Sequence, residues 1–307
     1  MNSITIGILW TLVFVVIEAI QFVYFGALFQ DISSFLFGFF VFGIIAIIFI
    51  SGSAIRNPDQ LSIALRNPAP LIKLNIFATL AWAAYLTSVQ LLEPAVVYTI
   101  SAGAMPVTAY LASRLNPGHG SQNRFERYGL LILIFAILYL TVVTVSGNSG
   151  FVSGGKGVGV MGVLLAIADG VFFTWMLIYS QKLDSIGVGP GTVFGLRFPL
   201  YVVAAGGLSM YGLDARPPIP NDTLIIIILM GLLLTVPHLY ALQRAVSKIS
   251  TPMISALTTL GPFIIFSLQI IEGRVQYSNA TLAGIFIYCL GSFVSVAGVV
   301  KSSKQTA

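Results

Sequence analysis

The chain has 307 residues, of which 57% are hydrophobic and only 8% are charged, and its mean hydropathy is +0.96. A soluble domain usually has about a quarter charged residues, so this composition excludes a soluble globular protein and indicates an integral membrane protein in contact with a lipid bilayer. The net charge of +5 does not indicate nucleic-acid binding, because the basic residues form no patch interleaved with aromatic side chains.

Ten apolar runs are long enough to cross a membrane as helices, since a helix needs about 20 apolar residues to span the hydrocarbon core. In chain order they are Ile4–Leu28, Ile32–Ile50, Leu71–Leu91, Ala95–Ala112, Tyr128–Val145, Val158–Ser180, Thr192–Met210, Leu224–Ala241, Met253–Ile271 and Leu282–Val300. The first run has no basic flank of the kind that precedes a signal peptide, so we expect it to remain as a span. The sequence therefore predicts an all-α integral membrane protein with ten transmembrane helices.

The distribution of Lys and Arg predicts how these spans are oriented. One side of the membrane receives Arg56, Arg66, Lys73, Arg114, Arg124, Arg127, Lys182, Arg244, Lys248, Lys301 and Lys304. The opposite side receives only Lys156, Arg216 and Arg274, while Arg197 falls inside a span. Because basic loops favour the cytoplasm and the number of spans is even, we expect both termini in the cytoplasm and the protein in the cell (inner or plasma) membrane.

Ten spans divide into two groups of five, and an odd number of spans per group gives the two groups opposite orientations. We predict that residues 1–146 form the first five-helix repeat and residues 158–307 the second, inverted repeat. Residues 147–157 are then the extracytoplasmic loop that connects them.

Local sequence similarity supports this division. The segment IEAIQFVYF (17–25) aligns with ADGVFFTWM (168–176), so that an acidic residue matches an acidic residue. The segment AVVYTISAGAMPV (95–107) aligns with TPMISALTTLGPF (251–263), so that a proline matches a proline. These two matches are consistent with one repeat that contains a short insertion.

Two longer segments extend this pattern, AYLTSVQLLEPAVVYTISAGAMPVTAYLASR and LYALQRAVSKISTPMISALTTLGPFIIFSLQIIEGR, the second with an acid at Glu272. In these segments and in its ten spans, the chain resembles the EamA-type carriers of the drug/metabolite transporter superfamily over essentially its whole length. It differs from the family pattern in having no arginine in the second span and no acid near Arg114. The resemblance implies a secondary carrier, an exporter, with a central cavity between inverted halves and an alternating-access cycle.

Charged residues inside the spans are the strongest candidates for a functional site, because a charge that faces lipid costs several kcal/mol. Glu18 and Asp169 lie near the middle of spans that run in opposite directions, so both are predicted near the centre of the bilayer. We expect them to face one cavity. The alternative is that each is protonated and hydrogen-bonded between helices as a purely structural contact.

Polar and aromatic residues at helical spacing complete the predicted cavity. The candidate substrate-binding residues are Glu18, Asp169, Trp82, Tyr85, Tyr98, Thr11, Gln21, Asn75, Thr258 and Thr259, and the candidate gating residues are Arg197, His238, Pro106 and Pro262. Each group has a structural alternative: the aromatic rings pack the bundle, the hydroxyl groups pack between helices, and Arg197 snorkels to the membrane interface.

Three hypotheses for the function follow. The first is a transporter of a small cationic or zwitterionic amine, such as an amino acid, with protons as a candidate coupling ion, because carboxylates and ring faces both attract an ammonium group. The second is a membrane scaffold or binding protein without a transport cycle, and the third is an intramembrane enzyme. We expect no enzyme, metal or cofactor, since the phosphate-loop spacing from Gly150 to Lys156 is followed by Gly157 where Ser or Thr is required. The sequence does not indicate the identity of the substrate or the oligomeric state.

Overall fold

The computed structural model of the protein describes residues 3–114, 124–246, 248–249 and 251–305, and these are helices joined by short turns and loops. The helices are α1 (Ser3–Leu28), α2 (Ser34–Arg56), α3 (Pro58–Arg66), α4 (Pro68–Leu91), α5 (Pro94–Arg114), α6 (Arg124–Val145), α7 (Lys156–Ser185), α8 (Pro190–Leu196), α9 (Pro199–Met210), α10 (Asn221–Val246), α11 (Thr251–Thr258), α12 (Gly261–Glu272) and α13 (Asn279–Gln305). The prediction of an all-α protein is confirmed for the described residues.

Nine segments of the described chain are long and apolar enough to cross a membrane. They are α1, α2, α4, α5, α6, α7, the combined α8 and α9, α10 and α13. Large apolar side chains cover the outside of the bundle, for example Ile47, Leu164, Val203, Leu233 and Phe293. An exterior of this kind is stable against lipid chains and unstable in water, so the protein is a multi-pass membrane protein.

The predicted ninth span is not one continuous helix. Residues 253–271 form α11 and α12, which are separated by a turn at Thr259 and Leu260, and Pro262 lies in the first turn of α12. The two helices have 8 and 12 residues, so neither crosses the hydrocarbon core alone. The count of ten spans and the two inverted repeats therefore remain predictions.

The helix α3 occupies a region where the sequence predicts only a break between spans. Both of its ends have the same local sequence, Asn57-Pro58 and Asn67-Pro68, and each proline is in the first turn of the helix that follows. Proline is well tolerated there, because the first turn needs no N–H donor, and it forces the preceding residue out of the helical conformation. The second span is thus longer than predicted, and α3 is a separate short helix.

Two glycines allow the close helix contacts that position the polar residues at the centre of the bundle. A Cβ atom on Gly170 of α7 would overlap the Ser101 carbonyl oxygen of α5. A Cβ atom on Gly261 of α12 would lie 2.5 Å from the Tyr98 hydroxyl oxygen, also on α5. Because both positions are glycine, α5 can approach α7 and α12 and bring its side chains into contact with theirs.

Candidate functional site

A cavity of about 590 Å³ extends from the middle of the bundle to one of its ends. Its inner part is lined by Phe14, Glu18, Gln21, Phe22, Trp82, Tyr85, Tyr98, Ser101, Asp169, His238 and Thr258. Its outer part is lined by residues at the C-terminal ends of α5 and α7 and the N-terminal end of α6, including Ser113, Asp184 and Glu126. The charge distribution predicts that this open end faces the cytoplasm.

Glu18 of α1 lies in the inner part of the cavity and has few partners. The Tyr98 hydroxyl group donates a hydrogen bond to Glu18 Oε2 at 3.0 Å, and the same hydroxyl lies 3.2 Å from the Thr258 carbonyl oxygen. His238 Nε2 is 3.6 Å from Glu18 Oε1, within the range of an ion pair but too long for a hydrogen bond. Since an ionised carboxylate accepts about four hydrogen bonds, Glu18 keeps acceptor positions for a ligand.

Asp169 of α7 is held on the same face of α5. The Ser101 hydroxyl group donates a hydrogen bond to Asp169 Oδ2 at 2.6 Å, and Asp169 is 6% exposed. Ser101 follows Tyr98 by one helical turn, and residues at this spacing are neighbours on a helix surface. One face of α5 therefore holds both carboxylates, as the prediction of a shared cavity requires.

Aromatic rings form the wall around these carboxylates. The Phe22 ring packs against Tyr85 at 4.7 Å and Tyr98 at 5.1 Å, and Trp82 meets Tyr85 edge-to-face at 5.5 Å. Trp82 Nε1 and the Tyr85 hydroxyl oxygen are buried and have no hydrogen-bond partner in the part of the chain that the structure describes. The wall thus combines ring faces, which attract cations, with polar atoms that a bound molecule is able to satisfy.

The structure places three predicted substrate-binding residues away from the cavity. Thr11 is fully buried and its hydroxyl group donates to the Gly7 carbonyl oxygen at 2.9 Å, within the same helix. The Thr259 hydroxyl group pairs with the Ser292 hydroxyl group at 2.7 Å. Asn75 bridges α4 to the break between α8 and α9, as described next.

The break between α8 and α9 arises at Pro199, which cannot donate a backbone hydrogen bond. Asn75 Nδ2 donates to the Leu196 carbonyl oxygen at 2.7 Å, and the Leu200 N–H donates to Asn75 Oδ1 at 3.2 Å. One side chain therefore satisfies backbone groups on both sides of the break. This is a structural role, and the substrate contact predicted for Asn75 remains untested.

Arg197 lies in the same break and is 1% exposed, so its guanidinium group stays inside the bundle. It lies 5.4 Å from the centre of the Phe194 ring and 6.0 Å from that of Phe198. The snorkelling alternative requires an exposed guanidinium group and is wrong. Of the predicted gating prolines, Pro106 lines the cavity while Pro262 begins α12.

The cavity is also lined by residues that are not among the predicted site residues, for example Phe14, Phe22 and Tyr288. Phe14 and Phe22 lie one helical turn before and one turn after Glu18, so the helical period was a sufficient signal for them. Phe14 stacks on the His238 ring with 4.7 Å between the ring centres and 13° between the planes. No pattern within α13 distinguishes Tyr288 from its apolar neighbours.

The end of the bundle opposite the cavity mouth is held together by buried polar contacts around Glu93. This carboxylate is fully buried and accepts hydrogen bonds from the Gly150 N–H at 2.7 Å, the Thr281 hydroxyl group at 2.9 Å and Gln269 Nε2 at 2.5 Å. Burial raises the pKa of the Glu93 carboxyl group above its ordinary value of 4.5, and these hydrogen bonds oppose part of the rise. Glu93 thus joins the turn between α4 and α5 to α12, α13 and the loop before α7.

Asp214 provides a second contact at this end. Its Oδ2 accepts hydrogen bonds from the Ser34 N–H at 2.7 Å and the Ser34 hydroxyl group at 3.0 Å, and its Oδ1 accepts one from Gln90 Nε2 at 3.0 Å. Arg216 Nε lies 3.5 Å from Asp214 Oδ1. Together, Glu93 and Asp214 tie residues of the first half of the chain to residues of the second half.

No protein-family model matches the chain, and no curated protein matches it. Nine chains of solved structures do match. One of them, a crystal structure described only as that of a protein, superposes with a TM-score of 0.61 at 16% sequence identity, over 95% of this chain and 96% of that chain. At this identity the likeness shows that the two chains share a fold, over nearly the full length of both.

Proposed function

We propose that this protein is a secondary active transporter, an exporter of a small cationic or zwitterionic amine such as an amino acid, coupled to protons. The observation that carries the proposal is the cavity in the middle of the bundle. It is lined by two carboxylates, each held by a single side-chain hydroxyl group, it is open at one end, and polar contacts hold the other end of the bundle together.

The charges around the cavity favour a cation over an anion. Among the described residues that line it, Glu18, Glu126, Asp169 and Asp184 are acidic, whereas His238 is the one side chain able to become positive. The inner wall adds the ring faces of Tyr85 and Trp82. An ammonium group is attracted both by a carboxylate and by an aromatic face, so this lining selects an amine.

A membrane protein with a central cavity open at one end suits an alternating-access cycle. In this proposal the described arrangement is the cytoplasm-open state, and the contacts of Glu93 and Asp214 break when the outer side opens. The two predicted inverted repeats and the resemblance to EamA-type carriers agree with this interpretation.

Cysteine labelling tests the orientation on which this cycle depends. A reagent added from outside is expected to reach positions beside Asp31, Lys156 and Asp214 and to miss positions beside Arg66 and Lys248. The reverse pattern contradicts the orientation.

Binding and flux measurements test the proposal. Purified protein is screened by thermal unfolding against amino acids, polyamines and the quaternary cation benzyltrimethylammonium, and the compounds that stabilise it are then tested in proteoliposomes. We expect an outward-directed amine gradient to drive proton movement in the opposite direction. The matched control is Asp31→Asn, which removes an exposed acid away from the cavity. No stabilisation by any cation, together with no flux, contradicts the proposal.

A further inference from the structure

Glu18 and His238 form a carboxylate–imidazole pair at the inner end of the cavity. His238 Nε2 is 3.6 Å from Glu18 Oε1, and the two side chains are 7% and 15% exposed, respectively. Neither nitrogen of the His238 ring has a hydrogen-bond partner among the described residues. A carboxylate attracts a cationic imidazole and a cationic ligand alike, so the two compete for it.

Neighbouring contacts hold this pair in place from both sides. The Phe14 ring, one turn before Glu18 on α1, stacks on the His238 ring. Gln21 Nε2, one turn after Glu18, donates a hydrogen bond to the Thr235 hydroxyl group of α10 at 3.1 Å. Thr235 lies one turn before His238, so this bond sets the register of α1 against α10. The pair is therefore a defined feature of the contact between these helices.

We propose that protonated His238 is the internal competitor of the substrate ammonium for Glu18, so that amine binding at this carboxylate releases the imidazole proton. The inference rests on the proposed transport of amines and names the residue that exchanges the proton. Two cations repel each other in a buried site, so one carboxylate does not hold both. When the ammonium arrives, the Nε2–H bond breaks, the electron pair stays on Nε2 and the proton passes to water in the cavity.

This exchange keeps the charge of the site constant, because one positive charge leaves as another enters. The other titratable groups that face the pair are Tyr98 of α5, Tyr85 of α4, Asp169 of α7 and Tyr288 of α13, all of which line the cavity. The helices α2 and α11 also pack near α10, and they carry no titratable side chain apart from Arg56 at the end of α2.

Calorimetric binding of benzyltrimethylammonium tests the inference, because the charge of this probe is independent of pH. If binding of the probe displaces a proton, the Kd of the wild-type protein should be about tenfold higher at pH 6 than at pH 8, because protons compete with the probe more strongly at the lower pH. His238→Gln is expected to bind the probe equally well at both pH values. The matched control is His119→Gln, which removes the other histidine of the chain and should keep the pH dependence of the wild-type protein.

A second measurement uses the wild-type protein alone. The binding heat at pH 6.5 is compared in two buffers with different ionisation enthalpies, and the difference reports the number of protons released. A binding heat that does not depend on the buffer overturns the inference. So does a pH dependence of the Kd that persists in His238→Gln, because it then belongs to Glu18 or Asp169. Wild-type protein that binds the probe at neither pH overturns the proposed amine site itself, and this inference with it.

Discussion

Two glutamates of the same bundle, Glu93 and Glu18, differ in burial and in how far their carboxylates are satisfied by the described residues. Glu93 is fully buried and accepts hydrogen bonds from three groups, on α12, α13 and the loop before α7. Among the described residues, Tyr98 donates a hydrogen bond to Glu18 from a hydroxyl group that also lies near a backbone carbonyl, and Glu18 faces a cavity. A carboxylate with most of its acceptor positions occupied stabilises a structure, whereas one with several free positions is available to a ligand or a proton.

The largest expected effect is on transport in Glu18→Gln. If Glu18 is the carboxylate for which the amine and protonated His238 compete, the amide of the variant lacks the charge that holds either one, and proton-driven flux in proteoliposomes should disappear. Exchange of amine between two loaded compartments should persist in part, and the melting temperature should change little. Wild-type rates in both assays would mean that Glu18 has the structural role predicted as its alternative.

The second largest effect is on stability in Glu93→Ala. Removing this carboxylate leaves the Gln269 amide and the Gly150 N–H buried without an acceptor, and we expect the free energy of unfolding to fall by about 3 kcal/mol. Thermal unfolding in detergent measures this loss. Asp31→Ala, at an exposed acid, is the matched control and should change stability little. An equal loss in both variants would contradict the structural role of Glu93.

A smaller effect is expected for Asp169→Asn. The Ser101 hydroxyl group is able to donate to the asparagine amide oxygen as it does to Asp169 Oδ2, so the contact between α5 and α7 should survive. Loss of the charge should reduce the rate of amine transport about tenfold, which corresponds to about 1.4 kcal/mol in the activation free energy. The melting temperature should be almost unchanged. The contrary result is a marked loss of stability with normal transport by the folded fraction, which favours the structural alternative.

The smallest effect is the pH dependence of the contribution that Glu93 makes to stability. Burial raises the pKa of this carboxyl group in the folded protein above its ordinary value of 4.5, so the folded state binds the proton more tightly than the unfolded state does. Stability from this group is therefore present below pH 4.5 and decreases as the pH rises through the raised pKa. Glu93→Gln lacks this titration, and we expect its deficit in melting temperature relative to wild type to shrink between pH 4.5 and 7. A deficit that grows over this range would contradict the raised pKa.

Much of the fold follows from hydropathy, while parts of the site do not. Nine segments that are long and apolar enough to span a membrane lie where the sequence predicts spans. The structure brings Glu18, Asp169, Tyr85 and Tyr98 to one cavity, as the charges and the helical spacing predict. It places Asn75 instead at the break between α8 and α9, where its amide group hydrogen-bonds to backbone groups. The sequence does not distinguish this role from substrate binding, because an asparagine amide forms the same hydrogen bonds in both.

The sequence by itself determined that this is a membrane protein, where nine segments long and apolar enough to cross a bilayer lie in the described chain, and which charged residues are too costly to face lipid. These properties depend on the transfer of each side chain from water to lipid, which is a local quantity. Only the tertiary structure decided that His238 lies within ion-pair distance of Glu18 and that Glu93 joins four segments. Such contacts depend on the rotation and register of helices that are distant in the chain, and packing of small residues such as Gly170 and Gly261 sets these in three dimensions.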